Sequence, residues 1–192
     1  MPASERIERE RGLREAVLRG DVRAWQSLYD GAFSEVFAYV QWRCAGLRDL
    51  AEDITQDTWL VAVRRIRSFD PRQAPFAKWL CGIAANLLRN HFRARLPATN
   101  QVLPERATAQ AHEQERRECA ERVARALAEL PERYEAVLRA KYLEQRSVAE
   151  IALAWGESLK TVESLLSRAR QAFRAAYGLP DVEDGAFREV KP

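Results

Sequence analysis

Apolar residues recur every three or four positions through most of this 192-residue chain, and polar residues fill the positions between them. This period matches the α-helix, in which residues four apart lie on the same face. The alternating runs of apolar and polar residues that indicate β-strands are nearly absent. The pattern therefore predicts an all-α fold.

Three helices are predicted in the N-terminal half, at about 21–44 with Asp21 as N-cap, at about 50–67 and at about 76–95. Two prolines in segment 68–75 interrupt the helical pattern, because each proline fixes φ and lacks a backbone donor. The predicted buried positions are Ala24, Leu28, Ala32, Val36 and Val40 in the first helix, Ile54, Thr58, Val61 and Ile66 in the second, and Phe76, Leu80, Ile83, Leu87 and His91 in the third.

A second helical group follows segment 97–114. That segment contains two prolines and small polar residues but no apolar stripe, which predicts a flexible linker. Helical patterns then continue to residue 178, with breaks at Pro131 and Gly156. The chain is therefore predicted to form two small helical domains. Their predicted boundaries are 21–96 and 115–178, with an N-terminal extension at 1–20 and a C-terminal tail at 179–192.

Charge is distributed unevenly, although the formal net charge is only +3. Eight basic residues and one acid occur between Arg64 and Arg95, whereas four acids and one arginine occur between Arg48 and Asp57. A nearly neutral chain that is polarised in this way is expected to present two differently charged surfaces.

Several function classes find no support in the sequence. No apolar run of about 18 residues predicts a membrane span, and the charged N-terminus does not resemble a secretory signal. Three scattered cysteines do not predict a disulfide framework. No metal-ligand spacing, Walker motif or nucleophile elbow occurs, so we predict no metal, no cofactor and no enzymatic activity. We expect a cytoplasmic protein without membrane insertion.

Residues 147–177 carry the signals of a short helix, a turn and a longer helix. Ser147 and Glu150 match a capping box, and Gly156 suits the left-handed residue that ends a helix. This order is that of the helix-turn-helix, whose second helix enters the major groove of DNA. A plain helical hairpin fits the same pattern equally well.

If this segment does bind DNA, the start of its second helix holds the residues that contact base edges. These candidates are Ser158, Lys160, Thr161, Glu163 and Ser164, with Arg168 and Arg170 further along as phosphate-contacting or core-facing groups. The predicted packed side comprises Ile151, Ala152, Trp155, Val162, Leu166 and Ala169. For Leu165 two roles stay open, contact with a thymine methyl group or with a protein partner.

The third predicted helix carries two pairs of polar residues, Asn86 with Asn90 and Arg89 with Arg93. Each pair is spaced by four residues and therefore shares one helix face. Asparagine can bond to base edges and arginine can grip phosphates. The aromatic residues beside the preceding loop could stack on unpaired bases, but a place in the core fits Phe76 and Trp79 better.

The second predicted helix has an acidic side that carries Asp53, Gln56 and Asp57. Two carboxylates at helical spacing could serve acid–base or metal chemistry. No histidine lies near enough in sequence to complete such a site, so a solvated face or a protein interface is the preferred interpretation.

Two stretches together resemble the extracytoplasmic-function (ECF) group of bacterial sigma factors. The stretch "AEDITQDTWLVAVRRIRSFDPRQAPFAKWLCGIAANLLRNHF" resembles region 2 of that family, and "LAELPERYEAVLRAKYLEQRSVAEIALAWGESLKTVESLLSRARQAFR" resembles region 4. The resemblance implies two helical domains that direct core RNA polymerase to promoters and help to melt the −10 region. It also implies contacts with the β′ clamp helices, the β flap, promoter DNA and an anti-sigma factor.

The resemblance assigns roles to particular residues. Asp53, Gln56 and Asp57 would dock on the β′ clamp helices. The −10 element would be bound by Ser68, Phe69, Asp70, Arg72, Asn86, Arg89, Asn90 and Arg93, with the loop capturing a flipped base. The −35 element would be bound by Ser158, Lys160, Thr161, Glu163, Ser164 and Arg168.

The chain departs from the family at Glu163 and Leu165, where members often carry a basic residue. Because a glutamate can accept from cytosine N4, this departure predicts an altered −35 preference. Two other functions stay open: a helix-turn-helix regulator that acts without polymerase, and an adaptor that binds only protein. The regulator would leave the acidic helix and the Asn/Arg helix without a role.

Overall fold

A computed structural model describes residues 3–94 and 108–179, with the backbone alone for residues 108–111. Within these residues it contains α-helices and one 3₁₀ turn but no strand, which confirms the all-α prediction. The elements are α1 (Ala3–Leu18), α2 (Val22–Arg43), α3 (Arg48–Arg65), the 3₁₀ turn (Ile66–Ser68), α4 (Phe76–Ala94), α5 (Thr108–Glu129), α6 (Glu132–Tyr142), α7 (Val148–Trp155) and α8 (Leu159–Tyr177). The chain divides within α5, between Glu121 and Arg122, into two compact units, called here unit 1 and unit 2.

The core of unit 1 forms where α2 packs against α3 and α4. Asp21 begins α2 as predicted, because its side chain accepts hydrogen bonds from the backbone N–H groups of Arg23 and Ala24. The predicted stripe of α2 is buried along its whole length, and Val36 and Val40 are inaccessible to solvent. The helical period of the sequence therefore identified this core face correctly.

The buried face of α4 differs from the predicted one. Ile83, Leu87 and His91 are only half-buried, whereas the positions one residue further along are buried. The buried residues of α4 are Phe76, Ala77, Leu80, Ala84, Leu88 and Phe92. Since α4 packs against both α2 and α3, its contact face lies between the two neighbours, where the small Ala84 allows close approach.

The N-terminal extension contains the helix α1, which packs against α2 and against the 3₁₀ turn. None of its residues is buried, and its half-buried positions include Arg6, Glu10 and Arg14 as well as apolar residues. The sequence therefore lacks the apolar stripe that would have predicted this helix, because polar side chains make much of its contact with the rest of unit 1.

Unit 2 contains α6, α7 and α8, with α8 packed against the other two. Ile151 of α7 and Val162 of α8 are inaccessible to solvent, and Val137 of α6 joins them in the core. Gly156 ends α7 with a φ of 66°, the left-handed conformation that glycine adopts without strain, as predicted.

The linker prediction needs correction at its C-terminal end. Residues 108–114 are helical and form the start of α5, while residues 97–107 lie outside the described residues, as does the tail after Leu179. The segment lacks an apolar stripe, but hydrogen-bonded and charged pairs along one helix face, such as Gln114 with Glu118 and Arg117 with Glu121, favour a helix.

The predicted capping box of α7 is present. The Glu150 carboxylate accepts from the Ser147 hydroxyl and from the Ser147 backbone N–H, both at 2.7 Å, and Ser147 Oγ accepts from Glu150 N–H. These hydrogen bonds from the Ser147 hydroxyl and backbone lower the pKa of the Glu150 carboxyl. The contribution of the ionised group to stability is therefore present above its unfolded pKa and is lost as pH falls through its lower, folded pKa.

We expect the Glu150→Gln variant to melt at a lower temperature than the wild type at neutral pH, because glutamine keeps the length but loses the charge. The difference should begin to shrink as the pH falls below the ordinary glutamate pKa of about 4.3, and it should disappear once the pH is below the lowered folded pKa, where glutamate is protonated too. Thermal unfolding of both proteins, followed by circular dichroism from neutral to acidic pH, measures the difference in melting temperature. A difference that persists at low pH would show that the ionised carboxylate is not its source.

Candidate nucleic-acid and protein interfaces

The acidic side of α3 faces solvent. Asp53, Gln56 and Asp57 are exposed, whereas Ile54 and Thr58 on the opposite side are buried. The two buried threonines of this helix, Thr55 and Thr58, donate their hydroxyls to the Ala51 and Ile54 carbonyls, both at 2.7 Å, which satisfies the polar groups on the core side. Core packing thus fixes the rotation of α3 that presents these three side chains together, as the sequence predicted.

An apolar groove of about 410 Å³ lies beside this acidic side, between α2 and α3. Its walls are aromatic and aliphatic, and Glu52, Thr55 and Gln56 form its polar edge. The apolar lining residues are Tyr29, Phe33, Phe37, Trp59, Leu60 and Val63. We call this feature the α2–α3 groove.

The α2–α3 groove keeps large apolar side chains in contact with water. The Phe33 ring centroid lies 5.1 Å from that of Tyr29 and 5.6 Å from that of Phe37. Leu60 and Val63 are 49% and 54% exposed. A contiguous apolar surface with a polar rim is typical of a protein-binding site. Our sequence analysis missed it, although the three α2 aromatics recur every four residues, one position after the buried stripe.

The loop between α3 and α4 is shaped by its own polar side chains. Ser68 Oγ donates to the Arg65 carbonyl at 2.8 Å. Asp70 accepts from the Arg72 backbone N–H at 3.0 Å and from the Gln73 amide at 3.2 Å. Ser68 and Asp70, both predicted to contact DNA, therefore hold the turn that presents Arg72, whose side chain is exposed.

Phe69 requires a correction. It was predicted among the −10-binding residues, but it is 1% exposed and inaccessible to a base. Its ring centroid lies 5.0 Å from that of Phe76 and 5.4 Å from that of Trp79. Burial of this large ring anchors the loop on the core and outweighs any gain from stacking at the surface. Phe76 is likewise buried and Trp79 half-buried, so their preferred place in the core is confirmed.

The polar face of α4 is intact and open to solvent. Asn86, Arg89, Asn90 and Arg93 are all exposed, as their spacing predicted. Arg89 donates to the Asn86 side-chain oxygen at 2.8 Å, and the exposed Asn86 keeps its amide N–H groups as donors. Other exposed cations of the predicted basic stretch, which were assigned no individual role, lie around the preceding loop at Arg64, Arg65, Arg67 and Lys78.

The helix-turn-helix prediction matches the geometry of unit 2. Ser158 Oγ accepts from the Thr161 N–H at 3.1 Å and lies 2.8 Å from the Thr161 hydroxyl, so both predicted base-contacting side chains serve the N-cap of α8. Lys160, Glu163 and Ser164 are exposed. Arg168 is exposed too and donates to the Ser164 carbonyl at 3.3 Å.

The structure bears on two residues of α8 whose roles the sequence left open. Leu165 is 4% exposed and packs in the core with Val162, Leu166 and Ala169, so it is not available for a thymine methyl group or a protein partner. Arg170 donates to the Tyr142 hydroxyl at 2.9 Å and lies 5.8 Å from the Tyr142 ring centroid. It therefore links α8 to α6. The buried arc of α8 is wider than predicted because α6 and α7 both cover it.

Metal chemistry and membrane insertion find no support in the described part of the chain. Within residues 3–94 and 108–179, no three potential ligands among histidine, cysteine, aspartate and glutamate cluster as a metal site would require. In the same residues, no helix combines the length and hydropathy of a membrane span.

Each of the two units contains a segment that matches a known protein family. The family model of sigma-70 region 2 matches residues 32–96, and that of sigma-70 region 4 matches residues 120–173. The ECF RNA polymerase sigma factor BldN of Streptomyces coelicolor is 31% identical over 156 residues, which cover 78% of this chain but only 59% of BldN. RNA polymerase sigma factor HrpL of Pseudomonas syringae pv. syringae is 33% identical over 141 residues, 69% of this chain and 76% of HrpL.

A similar solved structure is that of CnrH in complex with the cytosolic domain of CnrY. It shares 25% identity at a TM-score of 0.45, with 87% of this chain and 96% of that chain covered. Family membership rests on the sequence matches, which include both regions in order and a relative covered over most of its length. The chain belongs to the ECF group of the sigma-70 family, the non-catalytic initiation factors that direct RNA polymerase to promoters.

Proposed function

We propose that unit 1 binds both core RNA polymerase and the −10 element, and that unit 2 binds the −35 element. The observation that carries this proposal is the α2–α3 groove beside exposed Asp53 and Asp57. A regulator that binds DNA alone has no use for an apolar groove with an acidic edge. A docking surface for a basic, partly apolar helix pair such as the β′ clamp helices accounts for both features.

The −10 interface is proposed to extend from the loop at Arg72 along the polar face of α4. Phe76 and Asn86 are ten positions apart, about 15 Å along a helix that rises 1.5 Å per residue. At roughly 3.4 Å per nucleotide, that length corresponds to about four nucleotides of one strand. Arg89 and Arg93 would bind phosphates, while Arg72 and the asparagines contact extruded bases, whose unpairing costs a few kcal/mol.

The −35 interface is proposed to be the exposed face of α8, where Lys160, Glu163 and Ser164 approach base edges and Arg168 approaches a phosphate. Ser158 and Thr161 keep a supporting role through the N-cap. The two units then act together, because attachment to one polymerase raises the effective concentration of the second contact once the first has formed. The spacing between the two promoter elements becomes part of the specificity.

Glu163→Arg should change which −35 sequence is preferred. Glutamate accepts from cytosine N4, whereas arginine donates to guanine O6 and N7, so the preferred base at the contacted position should switch with a discrimination of about 1–3 kcal/mol. Selection of randomised −35 duplexes by the polymerase complex measures this. A uniform gain in affinity for all sequences would show that residue 163 contacts only the backbone.

We further propose that the chain works in the cytoplasm, where it would meet RNA polymerase, and that an anti-sigma factor competes for the α2–α3 groove. Occupation of the groove by such a partner would block docking on the clamp helices. The β flap is proposed as the contact of unit 2 on polymerase.

A binding experiment distinguishes this function from the alternatives. The chain is mixed with core RNA polymerase, and the complex that co-elutes in gel filtration selects from a randomised duplex library. The recovered DNA should share two sequence elements at a fixed spacing. Selection of the same two elements by the chain without polymerase would favour a regulator, and failure to bind both polymerase and DNA would favour a protein-only adaptor.

A further inference from the structure

A row of charged residues on α1 contacts both ends of the loop between α3 and α4. Arg6, Glu10 and Arg14 are spaced by four residues and therefore lie on one helix face. All three are half-buried against the rest of unit 1, although their side chains are among the most polar of the helix. None of them belongs to the surfaces described above.

Arg14 contacts the beginning of the loop. Its Nη2 donates to the Arg67 carbonyl at 2.7 Å, and its Nε donates to the Ile66 carbonyl at 3.4 Å. These carbonyls belong to the 3₁₀ turn that follows α3. The Ile66 carbonyl also accepts from the Phe69 backbone N–H at 3.2 Å, so Arg14 is its second donor. A guanidinium at this position supplies a donor to the Arg67 carbonyl and a second donor to the Ile66 carbonyl, and it complements the negative end of the helix dipole.

Glu10 contacts the other end of the loop. One carboxylate oxygen accepts from the backbone N–H of Phe76, the first residue of α4, at 3.2 Å, and the other accepts from Arg6 at 2.7 Å. The residue before Phe76 is Pro75, whose side chain has no acceptor with which to cap the helix. Glu10 therefore caps α4 from a different helix, and its negative charge suits the positive helix end.

We propose that α1 is a brace for the loop, and that Arg14 and Glu10 are positioning residues for −10 recognition. The brace fixes the distance between the 3₁₀ turn at the C-terminal end of α3 and the N-terminal end of α4, which residues 69–75 connect. A loop that is held before DNA arrives loses less conformational freedom on capturing a base, so binding and base discrimination both improve. This inference rests on the proposed function of the loop, since it concerns DNA only if Arg72 and its neighbours contact the −10 strand.

Matched control residues lie on the same helix. Arg11 and Glu8 form an ion pair with each other within α1. Arg14→Ala and Glu10→Ala can therefore be compared with Arg11→Ala and Glu8→Ala, which remove the same side-chain types from the same helix. Arg14→Lys keeps a cation that can reach one carbonyl, and this milder change serves if the alanine variant folds poorly.

Hydrogen exchange of the full chain tests the brace without DNA. The amides of Phe69, Gln73 and Ala74 donate within the loop and report on its opening. Loss of Arg14 or Glu10 should accelerate their exchange about tenfold, the effect of one hydrogen bond with a charged partner. The control variants should stay within about twofold of the wild type, and Arg14→Lys should lie between. Unchanged exchange in both brace variants would overturn the proposal.

Discrimination by the polymerase complex tests the link to DNA. The probe is one strand of the −10 element recovered from the library selection. It is compared with the same strand carrying one base substitution. Arg14→Ala should reduce the affinity ratio about five- to tenfold while affinity for core polymerase is unchanged. Faster loop exchange without a change in this ratio would overturn the positioning role. If Arg72→Ala also leaves the ratio unchanged, it is the proposed function of the loop that fails.

Discussion

Replacing Asp57 with arginine should weaken binding of the chain to core RNA polymerase about a hundredfold, or roughly 2.7 kcal/mol. Asp57 is exposed on α3, directly after Gln56 and two residues before Trp59, which both line the α2–α3 groove. Charge reversal removes an attraction to the basic partner expected there and adds a repulsion, and like charges in an interface cost several kcal/mol. Competition binding against a labelled wild-type chain measures the loss.

The fold should tolerate this change, because the Asp57 side chain makes no ion pair among the residues that the structure describes. Glu15→Arg is the matched control, since Glu15 is an exposed acid on α1, an element outside the α2–α3 groove. It should bind polymerase like the wild type. Wild-type affinity of Asp57→Arg would place the polymerase interface elsewhere on the molecule.

Phe69→Ala should lower the free energy of unfolding of unit 1 by about 3–5 kcal/mol. The ring is almost inaccessible and packs against Phe76 and Trp79, so its removal leaves a cavity where the loop meets the core. Urea denaturation followed by tryptophan fluorescence is suited to this measurement, because Trp79 is one of the packing partners.

A second substitution at the same position separates the structural role from a direct contact with DNA. Phe69→Leu keeps apolar volume and should cost less than about 1.5 kcal/mol. If Phe69 acts only through the core, the leucine variant should retain selectivity for the −10 strand. A folded leucine variant that loses this selectivity would show that Phe69 contacts a base directly.

The helices and their ends were predicted correctly where the spacing of apolar residues and the capping residues indicate the same helix. The α2 stripe, the Asp21 cap, the capping box at Ser147 and the turn at Gly156 were all predicted and are all present. Exposure of the Asn/Arg face of α4 followed from spacing alone. In each case a local rule determines the outcome, because each residue of the pattern lies within one or two helical turns of the next.

Other features depend on contacts between distant parts of the chain. Burial of Leu165 and Phe69 could not be inferred, because the width of a buried face depends on how many neighbours cover it. The role of α1 could not be predicted from the spacing of apolar residues, because Arg14 and Glu10 make its contacts with the loop through polar groups. The α2–α3 groove was missed for the opposite reason, because exposed aromatics look like core residues in a sequence.

Run-off transcription tests whether this chain directs RNA polymerase to promoters. Core RNA polymerase freed of its own sigma factors is incubated with the chain and with templates that carry the two selected elements. We expect transcripts of one defined length that require the chain, that disappear when the spacing between the elements changes by several base pairs, and that Asp57→Arg abolishes at concentrations where the wild type is active. Absence of any template-specific transcript, despite a folded chain bound to polymerase, would contradict the account.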